Sequence, residues 1–450
     1  MKTCHPIQSF SLVTVLLLPA LHAQAVDPIT LPSAPLYLAG GVAPNLVVTL
    51  DDSGSMAWGY VPDTMGKNAR VTSGCGHNIF YDNDGSETKR YFLSGDHNAQ
   101  YYNPSTTYLP PLKSDGTPYT TSYGSAYING FDTTSTTVNL ASAYQPSFGF
   151  QPKSNQCYAR HPALDSGSGK QFSSDTVDVP AYYYRYETGG TGCTGASISK
   201  TNEACYVYTA VGAAEQQNFA NWYSFYRTRN LATVSAATRA FNNLPGTMRL
   251  AWQALNSSCD DFSGTGCAGW DGTKIGNSIR ALSAPGHKEN FYKWLEKLPA
   301  NGGTPLRAAL GRVGEYYRTS TAVVNSPYAE DPQVTVGTQH SCRANYTIMM
   351  TDGIWNGNNA SGVSGNVDNT AKSLPDGTSY APSAPFKDDN SNSLADVAFY
   401  YWANDLRTDL TNNVPRSPRV LDKLVEDGKT IPTADYFDPK NDPASWQHMV

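Results

Sequence analysis

The stretch Asn45–Met56, NLVVTLDDSGSM, decides the fold. Leu46 to Leu50 is an apolar run of strand length, the pattern of a parallel strand buried on both faces. It stops at Asp51-Asp52-Ser53-Gly54-Ser55, turn-favouring residues rich in side-chain oxygen. Two distant stretches share this character. Asn301–Leu306, NGGTPL, supplies Thr304, and in Tyr346–Gly353, YTIMMTDG, a second apolar run halts at Asp352. In a doubly wound sheet, ligands gather beyond the carboxyl ends of the strands. Asp51 and Asp352 therefore share one rim, and Thr304, at a helix start, can reach it. Asp52 is expected to face solvent.

Asp51, Ser53, Ser55, Thr304 and Asp352 make a candidate metal site. Carboxylates and hydroxyls are hard oxygen ligands that suit Mg²⁺ first, with Mn²⁺ or Ca²⁺ as alternatives, and not zinc or copper. Mg²⁺ takes about six oxygens and keeps some water. A cation left partly unneutralised, with one replaceable water, attracts the carboxylate of a ligand. That is binding chemistry, since no positioned base or nucleophile accompanies it. Taken singly, each piece also reads as a turn or a helix cap; their joint order at strand ends favours the metal.

Strands and helices alternate outside one long interruption. Residues 57–213 are rich in Gly, Ser and Tyr, hold 17 of the 29 tyrosines, and show no sustained helical period. They read as an insertion of short strands and long loops, whose tyrosines either pack together or present an adhesive surface. Glu215–Leu244 then carries apolar residues at steps of three and four, with Arg227, Arg229 and Arg239 off that stripe. Met248–Leu255 reads as a second strand and Phe291–Leu298 as a short helix. Thr304-Pro305 opens a helix to about Tyr317, and Leu394–Leu410 is a further helix. This order predicts an α/β fold, a doubly wound and mainly parallel sheet of Rossmann-like type with a large β- and loop-rich insertion.

At 450 residues, 40% hydrophobic and 16% charged, the chain is long enough for a large core. A net charge of −6 gives no basic face for nucleic acid. Residues 1–25 have the form of a secretory signal: Lys2, the short apolar core Phe10–Leu21, and Ala23-Gln24-Ala25 at the cleavage position. No later segment approaches the roughly 20 apolar residues of a membrane span. Seven cysteines follow the signal, and Cys193–Cys205 and Cys259–Cys267 are plausible local bridges. The odd count leaves a free thiol or a partner outside this sequence. Ser445–Val450 reads as the opening of a strand, so residues 214–450 are expected to stop before the last strands of the domain begun at residues 26–56. Asp82-Asn83-Asp84-Gly85 looks like the start of a calcium loop but lacks the Glu at its twelfth position, Leu93. There is no His-Glu-x-x-His, Gly-x-Ser-x-Gly or P-loop pattern.

A strand followed by Asp-x-Ser-x-Ser, then a distant Thr and a distant Asp, resembles the metal-ion-dependent adhesion site (MIDAS) of a von Willebrand factor A domain. More closely, NLVVTLDDSGSM, NFANWYSFYRTRNLATVSAATRAF, LPANGGTPLRAAL, YTIMMTDGIWNG and LADVAFYYWANDLRTDL resemble the N-terminal region of the PilY1/PilC family, tip-associated adhesins of type IV pili. The likeness covers roughly half the chain. It implies an exported, non-enzymatic surface protein of a Gram-negative bacterium, reaching the pilus tip through the periplasm or associating with the outer membrane. Implied partners are minor pilins and a host-cell or abiotic surface ligand offering a carboxylate; implied roles are pilus biogenesis, twitching motility and attachment. The family's metal residues fall on Asp51, Ser53, Ser55, Thr304 and Asp352. Family members continue into a C-terminal β-propeller that this chain does not contain. Two rival readings are a tip-complex subunit docked on minor pilins with a purely structural metal, and a metal-dependent hydrolase.

Overall fold

Every residue of β1 (Asn45–Leu50) is buried, as a strand covered on both faces requires. The computed structural model describes residues 42–61, 90–144, 180–256, 279–318, 322–323, 325–383, 386–415, 424–426, 429–431, 442 and 444–450. The signal segment, the calcium-like loop at 82–85 and the Cys259–Cys267 pair lie outside them.

Among the described residues between β1 and the first long helices are two small antiparallel pairs. One joins β2 (Ala126–Tyr127) to β3 (Thr137–Val138), the other β4 (Tyr182–Tyr186) to β5 (Tyr206–Ala210). Helices α1 (Gln216–Phe225) and α2 (Arg229–Asn242) precede β6 (Arg249–Ala254) and the two-residue β7 (Arg280–Ala281). Then follow α3 (His287–Glu296), α4 (Leu306–Arg318), β8 (Asn345–Met350), the β9 (Lys372–Ser373) and β10 (Ser379–Tyr380) pair, and α5 (Leu394–Ala403). A short antiparallel pair, β11 (Leu424–Glu426) and β12 (Lys429–Ile431), comes last.

The central sheet has the order β7-β6-β1-β8. β1 runs parallel to both β6 and β8, and β7 is antiparallel to β6. Alternation along β1 sorts the core. Leu46, Val48 and Leu50 pack with Phe225, Leu231, Val234, Phe241, Phe291 and Trp294, so α2 and α3 cover one face. Val47 and Ala251 pack with Leu310, Val313, Tyr317, Val397 and Tyr401, so α4 and α5 cover the other. The result is a mixed α/β fold with a mainly parallel sheet between helices. Beyond β8, Val450 donates its N–H to the Asn345 carbonyl and accepts from Thr347 N–H, the bonding of a parallel ladder.

The helical period of Glu215–Leu244 is broken in two. Tyr226 leaves helical geometry after α1, and the Thr228 side chain accepts from Leu231 N–H at 3.3 Å, capping a new helix. The last expected helix is likewise shorter than its stripe. It starts at a capping box, Ser393 with Asp396, and ends at Ala403.

The tyrosines between β1 and α1 pack together. Tyr101, Tyr102, Tyr144, Tyr182, Tyr183 and Tyr206 are buried in one cluster with Phe219, Trp222 and Tyr223 of α1. Tyr101 and Tyr144 share a hydroxyl–hydroxyl hydrogen bond of 2.6 Å, and burial drives both phenols well above their ordinary pKa. The expected Cys193–Cys205 bridge is present beside them, whereas Cys342 forms no bridge among the described residues.

His287 is fully buried on α3, its ring 5.0 Å from that of Trp252. Its Nε2 meets the Leu250 carbonyl at 2.7 Å, Nδ1 has no partner among the described residues, and burial pushes its pKa down to about 4. A histidine depressed in the folded state takes up protons more readily when unfolded. Its contribution is therefore intact above about pH 6.5 and lost as pH falls toward 4, up to about 3 kcal/mol. Urea unfolding at pH 7 and pH 4.5 should show a smaller loss for His287→Gln than for the native chain; equal losses would contradict this assignment.

Candidate metal centre

Asp51 is the first residue past β1, and its N–H continues the ladder by donating to the Met350 carbonyl at 3.0 Å. Its carboxylate has no exposed surface. Oδ1 accepts from Ser53 N–H at 2.7 Å, closing a local turn, and Oδ2 accepts from the Thr351 hydroxyl at 2.7 Å. Ser53 and Ser55 place their hydroxyl oxygens 2.9 Å apart, and Ser55 donates to Asp352 Oδ1 at 2.8 Å. Three of the five candidate side chains, Ser53, Ser55 and Asp352, are thus hydrogen-bonded in a row at the carboxyl ends of β1 and β8, and Asp51 joins them through the Ser53 N–H.

Thr304 arrives by a different route. Its loop pairs with the first through a parallel bridge of Ser53 to Gly302, with Gly54 N–H on the Gly302 carbonyl at 2.9 Å. Asn301 and Gly302 both donate their N–H to the Asp52 carbonyl at 3.0 Å. Thr304 N–H donates to Asn356 Oδ1 at 2.8 Å, and Asn356 N–H returns a bond to the Thr304 carbonyl at 2.9 Å. Thr304 is therefore held at the rim by its backbone, whereas Ser53, Ser55 and Asp352 are joined by their side chains and the Asp51 carboxylate takes the Ser53 and Asp352 N–H groups. α4 begins one residue later than expected. Ala309 N–H bonds the Pro305 carbonyl, which makes Pro305 the residue that caps the helix.

Asp52 does not face solvent. It is 4% exposed, and its Oδ1 accepts from Asn256 N–H at 3.1 Å and from Asn256 Nδ2 at 2.7 Å. These bonds hold the carboxylate against Asn256, two residues past the end of β6. Burial raises its pKa to about 6, against the opposing pull of the Asn256 hydrogen bonds.

Sequence reasoning also missed Arg229. Its Nη1 donates to Asp352 Oδ2 at 2.6 Å in an ion pair whose side chains are only 6% and 11% exposed. Thr228-Arg229-Asn230-Leu231, a threonine before a resumed apolar period, is a helix-start signal that could have located it. A cavity of about 340 Å³ opens beside the ion pair, bounded by Met56, Val61, Gln100, Arg229, Met350 and Asp352. On the loop past Asp352, Ile354 is 88% exposed and Trp355 43% exposed.

The donor chemistry fits a hard cation. Among the described residues no three carboxylate, imidazole or thiolate side chains group as a metal site. An ion here would rest on hydroxyls together with the Asp51 and Asp352 carboxylates, a combination suited to Mg²⁺ or Mn²⁺.

Fold and site together define a mixed α/β protein with an oxygen-lined rim above a parallel sheet. The chain is 42% identical over 438 residues to the type IV pilus biogenesis factor PilY1 of Pseudomonas aeruginosa strain PAK, covering 95% of this chain and 33% of that protein. It is 40% identical over 437 residues to the PilY1 of strain PAO1, and 39% over 445 residues to that of strain UCBPP-PA14. The chain belongs to the PilY1 family of type IV pilus biogenesis factors. It spans about a third of the length of these curated relatives. No family model and no solved structure matches it. Among the described residues no helix is long and apolar enough to cross a membrane.

Gly302 tests how tightly the loops are joined. A Cβ there would sit 2.1 Å from Asn256 Nδ2 and 2.6 Å from its Cγ, and Asn256 is pinned to Asp52 and to the Gly303 carbonyl. Gly302→Ala is expected to cost about 1–3 kcal/mol in urea unfolding; a variant as stable as the native chain would mean that the loop gives way freely.

Proposed function

We propose that this chain is the ligand-binding part of a type IV pilus biogenesis factor. It would grip a protein or surface ligand through a divalent cation held in a MIDAS-type site. The observation that carries the reading is the hydrogen-bonded set of Asp51, Ser53, Ser55 and Asp352 at the carboxyl rim of β1 and β8. Asp51, Ser53, Ser55 and Asp352 would hold the ion directly or through water, with Thr304 contributing from the adjoining loop. When bound, the ion supplies an electrophile for a carboxylate. The exposed Ile354 and Trp355, on the loop past Asp352, would offer apolar contact to a protein. Support for a place in pilus biogenesis comes from the relatives' description. Adhesion, twitching motility and a site at the pilus tip on minor pilins belong to this same proposal, as does its reading as a binder and not an enzyme.

Asp51→Ala separates the proposal from a structural-metal role. Calorimetry should show Mn²⁺ binding to the native chain and a loss of at least about a hundredfold in the variant, since one of two ligand carboxylates is gone. Cells carrying the substitution should keep their pili and lose attachment. Undiminished Mn²⁺ affinity would refute the site, and loss of piliation with the variant still folded would favour the docked tip subunit.

A further inference from the structure

The break between α1 and α2 delivers Arg229 to the first residue of α2, directly against the proposed cation ligands. The guanidinium is held on three sides. Nη1 donates to Asp352 Oδ2 at 2.6 Å, and Nε and Nη2 both donate to the Tyr60 carbonyl, at 3.0 and 2.7 Å. The rings of Trp58 and Tyr60 stack 5.0 Å apart, and the guanidinium carbon lies 5.2 and 5.4 Å from their centroids. Charge-assisted bonds and cation–π contacts at 6% exposure make this a fixed charge, not a swinging one. The other oxygen of Asp352 accepts from Ser55, so guanidinium and candidate ligand set share one carboxylate.

We propose that Arg229 sets the strength of cation binding, acting as a permanent internal cation that holds divalent affinity down and keeps the loaded site attractive to an anion. The inference rests on the cation reading above. Asp51 and Asp352 carry two negative charges and Arg229 one positive, which leaves this set at one net negative charge. A divalent ion brings it to one net positive charge, the sign that draws in a carboxylate. Without Arg229 the same ion would leave the set neutral. Asp52 contributes equally to both cases and cancels in the difference. At a separation of a few ångströms in a mostly buried setting, one unit charge alters divalent affinity by about tenfold or more. The direction is diagnostic. Removing a charge that opposes the ion tightens binding, whereas removing a purely structural prop for Asp352 loosens it.

The test is Mn²⁺ alone, titrated into the 450-residue chain and followed by electron paramagnetic resonance of the free ion, with thermal unfolding recorded for each variant. Arg229→Gln should bind Mn²⁺ at least about tenfold more tightly than the native chain, and Arg229→Lys, which keeps the charge, within about threefold of it. A folded Arg229→Gln with unchanged or weaker affinity overturns the proposal. Should Arg229→Gln fail to fold, Arg229→Lys decides alone, and an affinity moved by more than about tenfold overturns it. Absence of Mn²⁺ binding in the native chain and both variants would instead remove the cation reading, and this inference with it. Binding in the native chain without tightening in Arg229→Gln removes only the role of Arg229.

Discussion

A carboxylate with no exposed surface stands at the end of a central parallel strand, and much of the rim is arranged to satisfy it. Asp51 cannot be left unpaired there without a cost of several kcal/mol. Its two oxygens recruit the Ser53 N–H from its own loop and the Thr351 hydroxyl from the end of β8. The Ser53 bridge to Gly302 then captures the loop before α4, and Asn356 ties that loop back to the segment past Asp352. Three segments remote in sequence are thus joined pairwise. Parallel register makes the convergence inevitable, because β1, β6 and β8 all end at the same level.

The tyrosine cluster contributes to the site indirectly. Tyr101, Tyr102 and Tyr144 pack on Phe219, Trp222 and Tyr223, which buries α1 within the segment that interrupts the α/β alternation. α1 ends at Phe225, Thr228 caps α2, and Arg229 is placed against Asp352 and the Tyr60 carbonyl. Packing of the interrupting segment therefore bears on the charge at the rim. Trp58 and Tyr60 are the physical link, since both lie just past the Asp51–Ser55 loop and both hold the guanidinium.

Much of this was legible in the residues. Apolar runs ending in Asp marked β1 and β8 within a residue, and MRLAWQAL marked β6, because buried parallel strands carry a strong local signal. Convergence of Asp51, Ser53, Ser55 and Asp352 followed from strand order alone. What escaped was set by distant contacts. Asp52 looks solvent-facing locally, and only its partner Asn256, 204 residues on, turns it inward. Arg229 looked like an off-stripe surface residue, and its partner Asp352 lies 123 residues away. The helix break at Tyr226–Thr228 is a cap competing with an unbroken apolar stripe, and the stripe is the louder signal. The tyrosines allowed both packing and display; burial of Tyr101, Tyr102, Tyr144 and Tyr183 decides for packing at those positions.

The chain belongs to the PilY1 family, and we propose that its rim supplies the chemistry by which a type IV pilus biogenesis factor holds a partner. The central claim, that this rim is a cation site, is tested most directly by anomalous diffraction from crystals of the chain soaked in Mn²⁺. The account predicts a manganese peak among the Ser53 and Ser55 hydroxyls and the Asp51 and Asp352 carboxylates. A saturated crystal with no peak there, and the same hydrogen bonds still closed around Asp51, would contradict it.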